Sequence, residues 1–220
     1  MLFGEKCIRL AGSALEKIEK FSASDEIETL SEVPGLDAEL IFMLGEYRCG
    51  KLDHEYSRCL MEFKDIGGRF GRQSGKRLHA ERLAGCVAAL ILSDRRLAEY
   101  SLIVTVPPKI DENTGDYHLF ALADAIETLL GSHGRGKTLN IVKDALRFKV
   151  QVPPIKKVPL EQRPAVMEHV VECGIDLSGC NVILLDDIIA SGATSRECIR
   201  AMRARGCARV AVIALAKRVQ

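Results

Sequence analysis

Apolar positions along the chain recur first at helical spacing and later in short unbroken runs. Residues 1–40 read as two helices. The first spans about residues 4–21, with Ile8, Leu10, Leu15 and Ile18 as a rough apolar stripe. Ser22 and Asp25 then resemble a capping box before a second helix, which Pro34-Gly35 ends. A short extended piece follows at residues 42–47. Next comes a helix with Tyr56, Cys59, Leu60 and Phe63 on one side, and Gly67-Gly68 breaks it. Leu83, Val87, Leu90 and Ile91 predict a long helix over residues 77–92.

From residue 101 the rhythm changes. Leu102-Ile103-Val104-Thr105-Val106, stopped by Pro107-Pro108, is continuously apolar and rich in β-branched residues, as in a parallel strand buried on both faces. A helix over 119–130 closes at the glycine-rich stretch 131–136. Residues 147–163 are basic and proline-interrupted and read mainly as a loop. Pro164 starts a helix expected to run through Val171. Residues 181–185 form a second buried strand, 194–205 a helix stopped by Gly206, and 210–215 a third strand. Strand, helix and strand of these lengths predict a parallel crossover unit. The expected class is α/β: a central, mostly parallel sheet flanked by helices. Residues 1–40 would be a helical extension and 41–220 the main domain.

The chemistry concentrates in Val182-Ile183-Leu184-Leu185-Asp186-Asp187-Ile188-Ile189-Ala190-Ser191-Gly192-Ala193-Thr194. A buried strand is expected to end in two acids, and in open α/β sheets ligands sit beyond the carboxyl ends of strands. Two carboxylates there need compensation from sugar hydroxyls, a divalent metal or a cation. Two residues later a small-residue turn opens a helix, whose unpaired N–H groups and positive end suit an anion. Gly192 allows an unusual backbone angle, Ser191 and Thr194 add hydroxyls, and Ala190 and Ala193 keep the volume clear. Diol or metal recognition followed by phosphate recognition is the order of groups in a ribose 5-phosphate.

Charge and cysteines exclude other classes. The formal net charge of +1 gives no global case for nucleic acid or an anionic membrane. No stretch is apolar enough to span a bilayer, and Glu5, Lys6 and Arg9 interrupt any signal-like pattern, so a cytoplasmic location is expected. The eight cysteines form no Cys-x-x-Cys pair and no zinc spacing; reduced core cysteines are expected.

The thirteen-residue segment resembles the 5-phosphoribosyl-1-pyrophosphate (PRPP) motif of type I phosphoribosyltransferases. Leu44-Gly45-Glu46-Tyr47, Phe63-Lys64, the strand ending Val106-Pro107-Pro108, and Arg147 with Arg163 resemble the competence-associated ComF-like branch. The resemblance covers about residues 42–217. That family's N-terminal cysteine zinc module is absent, and 1–40 stand in its place. Asp116-Tyr117-His118-Leu119-Phe120 stands where an Arg-Gly-Phe-Asn type of segment is usual, and Lys156-Lys157 where a glutamine is.

The resemblance implies magnesium-dependent transfer of phosphoribose from PRPP to a nitrogen acceptor. Asp186 and Asp187 would hold the ribose hydroxyls, directly or through Mg²⁺. Ala190, Ser191, Gly192, Ala193 and Thr194 would hold the 5′-phosphate, Ile188 and Ile189 would be among the PRPP-binding residues, and Lys109 would belong to the pyrophosphate loop. Arg147, Lys149, Lys156, Lys157 and Arg163 would lie in a flexible hood, with at least one cation on pyrophosphate; Asp186, Asp187, Arg147 and Lys156 are the catalytic candidates and Arg163 a PRPP contact. No catalytic Ser, Cys or His is assigned, and a surface role at a helix start is weighed equally for Tyr117 and His118. A homodimer suits such a fold. The alternatives are a PRPP- or nucleotide-binding regulator, a DNA-uptake or DNA-processing accessory protein, or another Mg²⁺-dependent phosphate enzyme.

Overall fold

The computed structural model describes residues 28–30, 36–48, 55–64, 73–110, 117–132, 139–153, 158–159 and 162–219. The expected helix over 4–21, the glycine pair at 67–68, most of the 131–136 loop, and Lys156 and Lys157 lie outside them. In chain order the elements are β1 (Glu28–Leu30), β2 (Leu40–Met43), β3 (Glu46–Arg48), α1 (Glu55–Lys64), α2 (Gln73–Ser93), β4 (Leu102–Thr105) and α3 (His118–Ser132). Then follow β5 (Asn140–Val142), β6 (Leu146–Phe148), α4 (Arg163–Val166), β7 (Val171–Cys173), β8 (Asn181–Ile189), α5 (Ala193–Arg203) and β9 (Arg209–Val219).

The main sheet runs β1-β2-β9-β8-β4-β5, with β3 also on β9. Every pairing in it is parallel except β1 with β2. It is the mostly parallel, helix-flanked sheet expected. The continuous apolar runs explain its centre: Val182, Ile183, Leu184 and Leu185 of β8 and Val210 to Leu215 of β9 are wholly buried, as strands covered on both faces must be. α2 packs on α1 and α3, α3 also meets β4 and β8, and α5 meets β7 and β8.

Two features of this topology make a ligand edge. After β4 the chain crosses through α3 to β5 on one side; after β8 it crosses through α5 to β9 on the other. The strand order therefore reverses between β4 and β8, the place where open α/β sheets open a crevice. The register then exposes the acids. Thr105, the last residue of β4, pairs with Leu185, whereas β9 accompanies β8 as far as Ile189 opposite Lys217. Asp186 and Asp187 thus run past the end of one neighbour while the other still supports them.

Several expected boundaries shift. A strand, Glu28–Leu30, lies where the second N-terminal helix was expected. The extended piece at 42–47 is two strands that share β9, with Leu44 and Gly45 between them. Across that break Leu44 N donates to Ala214 O and Lys217 N donates to Gly45 O. Tyr56 Oη donates to the Leu215 carbonyl at 2.5 Å. Its ring lies so close that a Cβ on Gly45 would sit 2.7 Å from Tyr56 Cε1, which only glycine tolerates.

The basic stretch is also more ordered than a loop: β6 and β7 form an antiparallel ribbon. Only Arg163–Val166 is helical there, and Val171 lies in a strand, so the helix expected through Val171 is corrected. These short elements bury one or two side chains each, too few to set a period. The motif strand is longer than expected. It continues to Ile189, so both acids lie within β8, held there by β9.

Candidate active site

Asp186 and Asp187 alternate across β8, and their environments differ. Asp186 is 6% exposed. Its Oδ1 accepts from the Asp187 N–H at 2.8 Å and its Oδ2 from the Ser195 hydroxyl at 2.6 Å. Both oxygens therefore serve the protein itself, and Oδ2 ties the strand to the first turn of α5. Burial, with the charge of Asp187 next to it, pushes the Asp186 carboxyl up to about 6.

Asp187 is the acid on the open edge. Its Oδ1 accepts from the Ile188 N–H at 2.5 Å. Its Oδ2 meets His118 Nε2 at 2.7 Å and forms an ion pair with Lys64 Nζ. Burial alone would raise this carboxyl. The Lys64 ammonium and the His118 hydrogen bond overrule it and hold Asp187 well below the usual carboxylate range. Reciprocally, burial would lower Lys64, and the Asp187 carboxylate outweighs that to hold the ammonium raised.

Both partners arrive directly after an aromatic residue in the chain. Phe63-Lys64 ends α1: Phe63 is fully buried and its ring meets the His118 ring edge-on at 5.1 Å. Tyr117-His118 opens α3, with the two rings 4.8 Å apart. Tyr117 is anchored in turn, its hydroxyl donating to Val106 O at 3.1 Å just past β4. The His118 ring is thereby clamped between two aromatics. The Lys64 ammonium rides on a four-carbon stem.

The turn follows directly. Gly192 adopts φ 70°, ψ 5°, the left-handed region that suits glycine, and α5 begins at the next residue. Ala190 is exposed, Ser191 and Thr194 are half-buried, and Ala193 is packed against the core. Ile188 is half-buried and Ile189 buried. The first N–H groups of α5 lie at this edge, where a helix offers them to an anion.

The other expected site residues divide. Lys109 is exposed, just beyond β4 on the same carboxyl edge. Arg147 is not brought to the acids; it lies on β6, 73% exposed, with Nε on Glu172 Oε1 at 2.6 Å. Lys149 is exposed next to that ribbon, its N–H on Val170 O. Arg163 is buried, and its Nε donates to Val158 O at 3.0 Å, holding its own loop.

Lys64, His118 and Ser195 complete the geometry, although the pattern of residues alone assigned them no site role. Their signals were present: Phe63-Lys64 belonged to the resemblance, His118 stood beside a strand end, and Ser195 follows the turn. For His118 the surface expectation is corrected, since it is half-buried on Asp187.

Elsewhere Cys59 Sγ, His79 and Glu62 form a thiol–imidazole–carboxylate chain at 3.1 and 2.8 Å. Cys59 is buried and its thiol is pushed up to about 12, so this chain joins α1 to α2 and offers no ready nucleophile. Cys59, Cys173, Cys180, Cys198 and Cys207 are thiols outside any disulfide. Among the described residues no group of three or more His, Cys, Asp or Glu is placed to hold a metal, and no helix is long and apolar enough to cross a membrane.

Residues 122–220 match the family model described as phosphoribosyl transferase domain. That segment contains the acids, the turn and α5; Lys64, β4 and His118 lie before it. The chain is also similar to the crystal structure of adenine phosphoribosyltransferase from Leishmania tarentolae, at 13% identity and a TM-score of 0.44, over 86% of this chain and 94% of that one. No curated protein matches the chain. The mostly parallel sheet flanked by helices is the architecture that the sequence led us to expect.

Proposed function

We propose that this chain binds PRPP and transfers its 5-phosphoribosyl group to a nitrogen acceptor, releasing pyrophosphate. The observation that carries this reading is the continuous run from Asp187 on β8, through the left-handed Gly192, into the first turn of α5. It lies within the segment that matches the phosphoribosyl transferase domain. A carboxylate accepts hydrogen bonds from a sugar diol, and helix-start amides a few residues on take its phosphate. The ComF-like branch is the nearest reading, because Phe63-Lys64, one of the segments that carries that resemblance, reaches Asp187.

The two acids divide the work in this reading. Asp187 takes the ribose hydroxyls. Asp186, with both oxygens engaged, sets the turn through Ser195 and acts on the phosphate indirectly. Lys109 stands at the same edge for the pyrophosphate. Asp187 would reach a magnesium indirectly, through the ribose hydroxyls it holds, with waters and ligand oxygens as the ion's donors, since Mg²⁺ is seldom caged by protein alone. Bound there with PRPP, it would offset the charge growing on the leaving pyrophosphate. Positioning of the sugar between Asp187 and the turn supplies the rest, and no covalent nucleophile is needed.

A second reading, a PRPP- or nucleotide-binding regulator or a DNA-uptake or DNA-processing accessory protein, is favoured by Arg147. That cation is engaged with Glu172 on the β6–β7 ribbon and does not face the acids.

The test is incubation with PRPP, Mg²⁺ and a panel of bases and amines, following pyrophosphate. Release is expected, with loss of roughly 10² or more in rate for Asp187→Asn. Tight PRPP binding without release under any acceptor supports the regulator. Failure of both PRPP and ribose 5-phosphate to bind ends both readings.

A further inference from the structure

We infer that Lys64 is an exchangeable counter-ion: it neutralises Asp187 in the free protein, yields that place to a ribose hydroxyl on binding, and carries its ammonium to the anionic group on the sugar's anomeric carbon. The inference rests on the PRPP reading and adds to it a residue from outside the matched segment 122–220.

Lone-pair accounting leads to it. A carboxylate oxygen accepts about two hydrogen bonds. Asp187 Oδ2 already has His118 Nε2 and Lys64 Nζ, and Oδ1 has the Ile188 N–H. A ribose diol presents two hydroxyls, and one position on Oδ1 does not satisfy both. One partner must leave. The Ile188 N–H is backbone within β8 and cannot. His118 is clamped edge-on by Phe63 and Tyr117, and Tyr117 is tied to Val106 O, so its ring cannot swing away without breaking that packing. Lys64 is the last residue of α1, and its stem has freely rotating bonds. It is the partner that can go.

Where it goes follows from charge. A half-buried ammonium that loses its carboxylate gains by meeting another anion nearby. In the proposed ligand the carbon that bears the pyrophosphate adjoins the 2′-hydroxyl carbon. An ammonium displaced from the acid that binds that hydroxyl therefore moves within one side-chain length to the pyrophosphate. The exchange keeps the Lys64 ammonium paired in both states, while Asp187 keeps its hydrogen bonds from His118 and the Ile188 N–H. It also makes the free site costly to enter for a sugar that brings no such anion.

The test compares two ligands in wild-type protein and Lys64→Met, by calorimetric titration in magnesium buffer. Ribose 5-phosphate has the diol and the 5-phosphate; PRPP adds the pyrophosphate. In Lys64→Met, ribose 5-phosphate affinity is expected to hold or rise, while PRPP affinity falls by about tenfold or more, the size of a lost charge-assisted contact. Lys64→Arg should restore part of the PRPP preference. A proportional loss for both ligands would show that Lys64 only orders Asp187, and an unchanged PRPP affinity would show that it never meets the anion; either overturns the inference and leaves the PRPP reading standing. If wild-type protein binds neither ligand, the PRPP reading itself fails. Should Lys64→Met not fold, by circular dichroism, Lys64→Gln keeps a hydrogen-bond donor without the charge and the same two titrations decide.

Discussion

Asp186 and Asp187 are adjacent and chemically alike, yet the fold sends their titrations in opposite directions, and stability should show it. Asp186 is raised from 3.8 to about 6, so between those values the native state holds a proton that the unfolded chain has lost. Stability must then fall as pH rises through this window. Asp187 is lowered, so its contribution is present above 3.8 and is lost as pH falls below that. The two windows are separate. In thermal melts Asp186→Asn should remove the decline between about pH 4 and 6. Its amide oxygen can still accept the Asp187 N–H, and its NH₂ can donate to Ser195. An unchanged slope in the variant would assign the decline to another group. Ser195→Ala tests the same unit from the other side. It strands Asp186 Oδ2, buried and without its donor, and should cost about 1–3 kcal/mol in chemical denaturation. Phosphate affinity should fall with it, because the first turn of α5 loses its tie to β8.

At the level of elements, the break between β2 and β3 shows how closely a loop can be specified. Gly45 is there because the Tyr56 ring occupies the space of a side chain, and Tyr56 is there because the break leaves Leu215 O to be satisfied. Gly45→Ala should destabilise by about 1–3 kcal/mol through overpacking, read as a lower melting temperature. Gly45→Ala combined with Tyr56→Leu should recover part of that by removing the ring. The sequence showed the extended piece but not its break, because the break is fixed by a contact from α1 and not by local pattern. The same contrast runs through the molecule. α2, β4 and β8 were legible, the helix from several turns of apolar residues at helical spacing and the strands from unbroken, β-branched apolar runs. β6 and β7 were not: three residues each carry no period, and they exist because they pair with one another. In the site, the acids and turn were legible because all their chemistry lies in one short stretch. Lys64 and His118 were not, because they meet Asp187 only once α1 and α3 are packed.

Over the whole molecule, the segment that matches a known domain is not the unit that should fold. It begins at residue 122, inside α3, and leaves out β2, β3 and β4. In the sheet β8 lies between β9 and β4, and β9 lies between β8 and the β2–β3 pair. Cutting at 122 would strip one neighbour from each of the two most apolar strands and open their unpaired edges to solvent. Such edges pair with other chains. It would also take Lys64 and His118 from Asp187, leaving a half-buried carboxylate without its ion-pair and hydrogen-bond partners. A fragment of residues 122–220 is therefore expected to aggregate or to stay unfolded by circular dichroism, with no cooperative thermal transition. A fragment of residues 36–220 restores both neighbours and both partners of Asp187. It should melt cooperatively and, if the chain is a PRPP-binding protein, bind PRPP. A cooperative melt and PRPP binding in the shorter fragment would mean that β4, α1 and the start of α3 are dispensable, and that Asp187 needs neither Lys64 nor His118.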